Sequence, residues 1–284
     1  MDRPGYLGAI QTFRAAGARL VGWDLRAADL DELEDLILRY RPKLLYTNPT
    51  FQNPTGFTLP LRARRELLRL AGRYRLPIIE DDTYRELHID AAPPPSLHAL
   101  DDRHIVIHLN SFSKMLAPGL RLGWLSAAES IVEQLALVKQ RVDPHTQNLV
   151  QLAVAELVED GAFDAHVAAL RAEHASRRDL FARALARHLP DGALRLTRPQ
   201  GGLYFWAQLA DGVRAADLLQ RATASGLVFV TGESFYPDQG GAHELRLCFT
   251  SVPPASVEDG AARLGQSLRA AVAAGAAAPL MPIV

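Results

Sequence analysis

The sequence is poor in cysteine. Cys248 is the single one among 284 residues, so no disulfide can form within the chain. That scarcity fits a reducing cytosol and sets a cytoplasmic expectation. Cys248 stands in the apolar run LRLCFT, where a small buried hydrophobe is its expected role. Net charge is nearly absent as well. Lys and Arg number 31 against 32 Asp and Glu, and no basic asymmetry of the kind that binds nucleic-acid phosphates stands out. Long apolar runs are also missing. The C-terminal AAVAAGAAAPLMPIV is short and broken by Gly and Pro, so it reads as a fraying helix end and tail, not a membrane span. The N-terminal MDRPGYLGAI has no apolar core of a signal peptide.

What is present is ordinary globular composition, 48% hydrophobic and 22% charged, in a length that suits one large domain or two smaller ones. The first half alternates in pattern. YLGAIQTFRAAGA reads as a helix with Gly17 as a stop signal, RLVGWDL as a strand, and LDELEDLILRYRP as a helix ended by Pro42. KLLYTNP, LPIIEDD and HIVIHLN read as further strands. LRARRELLRLAGRYR lies between the first two of these, its leucines at helical spacing and its arginines expected on the solvated face. Short apolar strands separated by helices imply an α/β fold with a mostly parallel sheet covered on both faces. Ligands of such sheets bind beyond the carboxyl ends of the strands. TNPTFQNPTG, EDDTY and NSFSKML fall at three of those ends and should converge there.

From about Ser126 the pattern changes to long helices, then to the short strands LRLTRP, GLYFWAQL, GLVFVTG and ELRLCFT with the helix AADLLQRATAS among them. This reads as a smaller α+β unit. The expected division is residues 1–160 for a large ligand-binding domain and 161–284 for a small C-terminal domain.

Within the polar clusters, Lys114 follows the small hydroxyls Ser111 and Ser113, and Arg121 lies seven residues on. A surface lysine is the ordinary alternative. Arg121 carries a permanent planar fork suited to phosphate. A lysine with a cationic neighbour and partial burial spends time neutral, as a nucleophilic amine must. Asp81, at the end of LPIIED, would need a cationic partner if buried, and a protonated pyridine nitrogen is such a partner. Tyr84 is placed to offer a phenol, and Asn53 an amide, near the same spot. Their ordinary readings are a helix cap for Asp81 or Asp82, packing for Tyr84 and a turn before Pro54 for Asn53.

Taken together, NPTFQNPTG, IIEDDTY, SFSKMLAPGLRLGW, PQGGLYFW and LRLCFT resemble, in order and rough spacing, the class I/II pyridoxal-phosphate aminotransferases of fold type I. The likeness is greatest to the aminoadipate/kynurenine aminotransferase-like branch and to the aminotransferase-like domains of MocR-type regulators. SFSK…PGLRLGW is the specific element, and LRLCF is weak without the others.

The resemblance implies a three-layer PLP-transferase fold, pyridoxal 5'-phosphate as cofactor and Lys114 as the residue that forms a Schiff base with it and then moves the proton at the substrate Cα. It implies that Asp81 keeps the pyridine nitrogen protonated, that Asn53 and Tyr84 meet the ring's phenolic oxygen, and that Ser111, Ser113 and Arg121 bind the phosphate. Tyr6 would stack on the ring and Arg246 would clamp the substrate α-carboxylate. It further implies a homodimer acting on an amino acid and a 2-oxo acid, with no metal, nucleic acid or membrane partner through this chain. The family normally carries about a hundred further residues, including a glycine-rich phosphate loop, before the point matching Tyr6, so an N-terminally truncated chain is expected. The alternatives are the effector-sensing half of a GntR/MocR-type transcription regulator, and a lyase or decarboxylase on the same scaffold.

Overall fold

The computed structural model describes residues 1–276. Helix α1 (Leu7–Ala15) follows an N-terminal segment, and α2 (Leu30–Tyr40) starts at Asp29, whose carboxylate accepts from the Asp31 and Glu32 amides at 3.0 Å. Arg41, in the left-handed region with φ 46°, ends α2 just before Pro42. Next come β1 (Leu45–Thr47), α3 (Leu61–Tyr74), β2 (Ile78–Asp81), the short α4 (Leu97–Leu100), β3 (Val106–Ser111) and β4 (Gly123–Ser126). The four strands form one sheet in chain order. β1, β2 and β3 are parallel, with Leu45 opposite Ile78 and Ile78 opposite Val106. β4 returns antiparallel to β3, an edge strand that the sequence reading did not separate from the loop after Lys114.

The expected strand RLVGWDL is not one. Among the described residues its only β pairing is a single parallel bridge between Asp2 and Trp23. Its apolar residues serve the core instead: Trp23 and Leu25 are buried with Leu33 and Ile37 of α2, Leu67 and Leu70 of α3, and Leu45, Ile78 and Val106 of the strands. Burial without a ladder gives the same apolar pattern as a strand.

The arginine-rich helix also departs from expectation. Arg62 and Arg69 lie on the solvated face, but Arg64 is fully buried. Its guanidinium donates to the carbonyls of Leu59 at 2.8 Å and Pro49 at 2.7 Å and to the Thr50 hydroxyl at 2.9 Å. Glu80 of β2 is its ionic partner at 3.6 Å. A charge can be buried when its donors are satisfied in this way.

Three helices follow: α5 (Glu129–Val142), α6 (Asn148–Glu159) and α7 (Ala162–His188). The last begins after Gly161, which is left-handed at φ 80°. A second sheet holds β5 (Leu194–Thr197), β6 (Tyr204–Leu209), β8 (Glu244–Cys248) and β7 (Val230–Thr231) in that spatial order, all antiparallel. α8 (Ala215–Ala224) and α9 (Val257–Ala276) pack on it around Phe205, Leu218, Leu245, Phe249, Leu264 and Leu268. Helix α7 serves both units. Val167 near its start packs with Phe51, Tyr84, Leu87 and Met115, whereas Ala184 and Leu185 near its end belong to the core of the second sheet. Among the described residues no helix is long and apolar enough to cross a membrane.

Candidate active site

The three polar clusters meet at the carboxyl ends of β1, β2 and β3. A cavity of about 230 Å³ there is lined by Tyr6, Asn48, Asn53, Asp81, Thr83, Tyr84, Ser111, Ser113, Lys114, Pro118 and Arg121. Larger, more apolar cavities lie elsewhere, but the converging charged and hydrogen-bonding groups are here.

Asp81 ends β2 with its side chain on the cavity face. It is half-buried, and the fully buried carboxylates of the EDD run are its neighbours Glu80 and Asp82. The Tyr46 hydroxyl donates to Asp81 Oδ2 at 2.5 Å, and the Thr83 hydroxyl donates to Oδ1 at 2.7 Å. Burial, with the Asp81 carboxylate next in weight, pushes the Tyr46 phenol well above its ordinary range, so Tyr46 stays a donor. Neither Tyr46 nor Thr83 was singled out from sequence, although both sit within two residues of the strand ends.

Asn53 and Tyr84 are both buried and joined, the Asn53 amide donating to the Tyr84 oxygen at 3.2 Å. Burial foremost raises the Tyr84 phenol well above its usual range. Tyr84 therefore keeps its proton, with its oxygen accepting from Asn53 and the Tyr204 phenol beside it. The loop carrying Asn53 is held from several sides. Asn48 Oδ1 accepts from the Asn53 backbone N–H at 2.8 Å, Asp2 accepts from the Asn48 backbone N–H at 2.8 Å and the Gln52 side chain at 3.0 Å, and Arg64 grips Pro49 and Thr50.

Lys114 follows β3 in a turn closed by the Leu116 amide on the Phe112 carbonyl at 2.8 Å. The Ser111 hydroxyl accepts from the Ser113 amide at 3.1 Å. Among the described residues Lys114 has no hydrogen-bond or ionic partner, and Arg121 donates only to the Pro118 carbonyl at 3.2 Å. Two cations thus face the cavity without a carboxylate on either.

Tyr6 caps the start of α1 and is 40% exposed. Its ring folds back over Gly8, where an added Cβ would come within 2.6 Å of ring atoms. Gly201, in PQGG, lets the backbone approach the Phe51 ring, which a Cβ would meet at 2.7 Å.

Arg246 reaches the site from β8. Its Nη1 donates to Asn53 Oδ1 at 2.8 Å, and its guanidinium carbon lies 4.0 Å from the Tyr204 ring centre and 4.9 Å from that of Phe235. Its Nε is buried without a partner, a donor that an incoming acceptor would satisfy. Tyr204 and Phe235 were not foreseen, because their contact with Arg246 comes from strand pairing and a loop. Cys248, two residues on, is half-buried against the Thr250 hydroxyl at 3.4 Å.

The model of the aminotransferase class I and II family matches residues 1–264. The 2-aminoadipate transaminase of Thermus thermophilus is 38% identical over 278 residues, 96% of this chain and 70% of that enzyme. The crystal structure of LysN, an α-aminoadipate aminotransferase from the same species complexed with N-(5'-phosphopyridoxyl)-L-leucine, superposes with a TM-score of 0.91 at 38% identity, covering 96% of this chain and 71% of that one. The HTH-type transcriptional regulator YdfD of Bacillus subtilis is 34% identical over 254 residues, 89% of this chain and 52% of that protein. The chain thus spans roughly 70% of the aminotransferase's length and about half of the regulator's.

The chain belongs to the class I and II aminotransferases, with the fold type I architecture and pyridoxal 5'-phosphate as the cofactor of its class. The residues present fit that group by their chemistry. The cavity offers a carboxylate for a protonated ring nitrogen, a phenol and an amide for a ring oxygen, an aromatic face, a lysine amine for an aldehyde, and a guanidinium with two hydroxyls for a phosphate.

Proposed function

We propose that this chain acts as an aminotransferase that moves an amino group between an amino acid and a 2-oxo acid, with Lys114 as its catalytic amine. The observation that carries the reading is the convergence of Lys114, Arg121, Asp81 and Tyr84 on one cavity, with Arg246 reaching Asn53 beside it.

In this reading Ser111, Ser113 and Arg121 would hold the cofactor phosphate, Asp81 would accept from the ring nitrogen, Tyr84 and Asn53 would meet the phenolic oxygen, and Tyr6 would cover a ring face. When bound, the cofactor supplies an aldehyde that captures amines and an electron-poor ring that withdraws electrons from the substrate Cα. Asp81 holds the ring proton in place, and Tyr46 and Thr83 keep its carboxylate oriented by two hydrogen bonds. Lys114 would be the base that takes the proton from the substrate Cα and returns it. Arg246 orients the substrate by its α-carboxylate, using the buried Nε that lacks a partner. We further propose that the protein works as a homodimer in the cytoplasm.

The test is the visible absorption of the chain loaded with pyridoxal 5'-phosphate. We expect a band that borohydride abolishes and that Lys114→Ala lacks; a borohydride-insensitive band unchanged by the substitution would overturn the assignment. The match to HTH-type regulators supports a second reading, an effector-sensing domain of the same fold. Conversion of a 2-oxo acid to its amino acid by the loaded protein, with a second amino acid supplied as the amino donor, favours the enzyme, whereas binding without turnover favours the sensor.

A further inference from the structure

Behind the sheet, on the face opposite the cavity, lies a second cluster of ionisable groups that the proposed chemistry does not use. Side chains alternate along a strand, so Asp81 faces the cavity while Glu80 and Asp82 face the rear. Both rear carboxylates are fully buried. Glu80 accepts from the Leu97 and His98 amides at 2.7 and 2.8 Å, with Arg64 at 3.6 Å. Asp82 Oδ2 faces His108 Nε2 of β3 at 3.2 Å and Arg85 at 3.5 Å, while its Oδ1 has no partner. His108 is itself buried, stacked on His98 at 5.4 Å between ring centres and edge-on to Trp124 at 5.2 Å. His98 in turn meets the Ser126 hydroxyl of β4 at 3.1 Å. Burial, with the Asp82 charge next, raises the Glu80 carboxyl above its ordinary value.

Such a cluster is poorly explained as a source of stability. A buried carboxylate with an unpaired oxygen costs free energy, and apolar side chains of similar volume serve a core at least as well. Its position is informative. The last backbone bond between β2 and β3 runs from the Asp82 amide to the Leu109 carbonyl at 2.9 Å. Beyond it the strands part. β2 turns at Thr83 into the segment holding Tyr84, and β3 continues through Asn110 and Ser111, paired only to β4. The His108–Asp82 contact spans the two strands at this divergence.

We propose that His108 and Asp82 are positioning residues for the reaction: their buried hydrogen bond braces β2 to β3 behind the sheet. It thereby fixes the spacing of Asp81 and Lys114, which must reach one ring from different strands. The donor is the Nε2–H of His108. The proposal rests on the roles given above to Asp81 and Lys114.

The test compares His108→Phe, which keeps an aromatic ring against His98 but cannot donate, with His108→Gln, whose amide nitrogen reaches about as far as Nε2. In the cofactor-free chain, amide hydrogen exchange at residues 83–85 should quicken by about tenfold in His108→Phe and return close to the parent rate in His108→Gln. In the loaded chain, His108→Phe should lower kcat about tenfold with KM changed by less than about threefold, and should shift the pH midpoint of the Lys114-dependent absorption band. His108→Gln should restore both. If His108→Phe does not fold, His108→Asn, whose shorter amide cannot reach Asp82, takes its place. Parent exchange rates at 83–85 together with parent kcat and midpoint would overturn the proposal, even if the melting temperature falls. Should the parent chain form no borohydride-sensitive band, the functional reading fails. The exchange rates then decide the brace alone, an unchanged rate refuting it.

Discussion

Arg246 donates from Nη1 to Oδ1 of Asn53 at 2.8 Å, joining the second sheet to a loop 193 positions earlier in the chain. The same Asn53 donates through its amide nitrogen to Tyr84. One buried amide therefore links the proposed carboxylate clamp to the proposed ring contact, its oxygen accepting from Arg246 and one of its two N–H donors given to Tyr84.

Arg246→Ala should raise KM for the amino acid with a smaller effect on kcat. Loss of a charge-assisted bidentate pair is worth about 2–4 kcal/mol, a factor of roughly 30 to 900 in KM. Arg246→Lys should recover little, because an ammonium has neither the fork nor the flat face that lies over Tyr204. Steady-state kinetics with a single amino-acid donor checks both.

Gly8→Ala places a methyl group within 2.6 Å of Tyr6 ring atoms and must move the ring. Because Tyr6 is 40% exposed, the ring can swing outward, so global stability should change by less than about 1 kcal/mol. Cofactor affinity should fall, since one ring face loses its cover. Equilibrium dialysis with pyridoxal 5'-phosphate, alongside urea unfolding, separates the two effects.

Arg64→Ala leaves Glu80 without its buried cationic partner and frees the Pro49 and Leu59 carbonyls. Breaking a buried pair from one side costs about 3–5 kcal/mol. The midpoint of urea unfolding should fall accordingly, and Asn53, on the loop that Arg64 holds, should lose its hydrogen bond to Tyr84. Arg64→Lys should restore only part of the stability, as one ammonium cannot serve three acceptors spread over a planar fork.

His174 is buried with its ring edge-on to Phe249 at 6.3 Å, and its Nδ1 has no partner. Burial, aided by Arg177, lowers its pKa below the ordinary 6.5. In the folded state it stays neutral to a lower pH than in the unfolded chain, so below about 6.5 the unfolded state binds the extra proton. His174 thus contributes stability above that pH, and the contribution is lost as pH falls toward the folded value. His174→Phe removes the titration, and its unfolding free energy should gain on that of the parent steadily between pH 7 and 5.

The sequence alone settled the order of the polar clusters and the residue types in them. TNP, EDD and SFSK each follow a short apolar run, and strand ends are where a parallel sheet gathers its ligand groups. These are local signals: side-chain chemistry, turn residues and periodicity, all readable within about ten positions. The readings that failed were those in which one local pattern serves two purposes. RLVGWDL has the apolar spacing of a strand, but Trp23 and Leu25 use it to fill the core under α2. Arg64 has the spacing of a solvated arginine, but it is drawn inward by Glu80 and by carbonyls of the Asn53 loop.

The resemblance already pointed to Asp81 within EDD, but only the tertiary structure set the Tyr46 and Thr83 hydroxyls on its carboxylate and sealed Glu80 and Asp82 behind the sheet. It alone brought Arg246 to Asn53 and set Tyr204 and Phe235 against the guanidinium. The physical reason is separation. A local pattern can specify a strand end, but the partner of a buried charge is chosen by whatever the packed chain places within about 4 Å of it, and low dielectric makes that choice decisive.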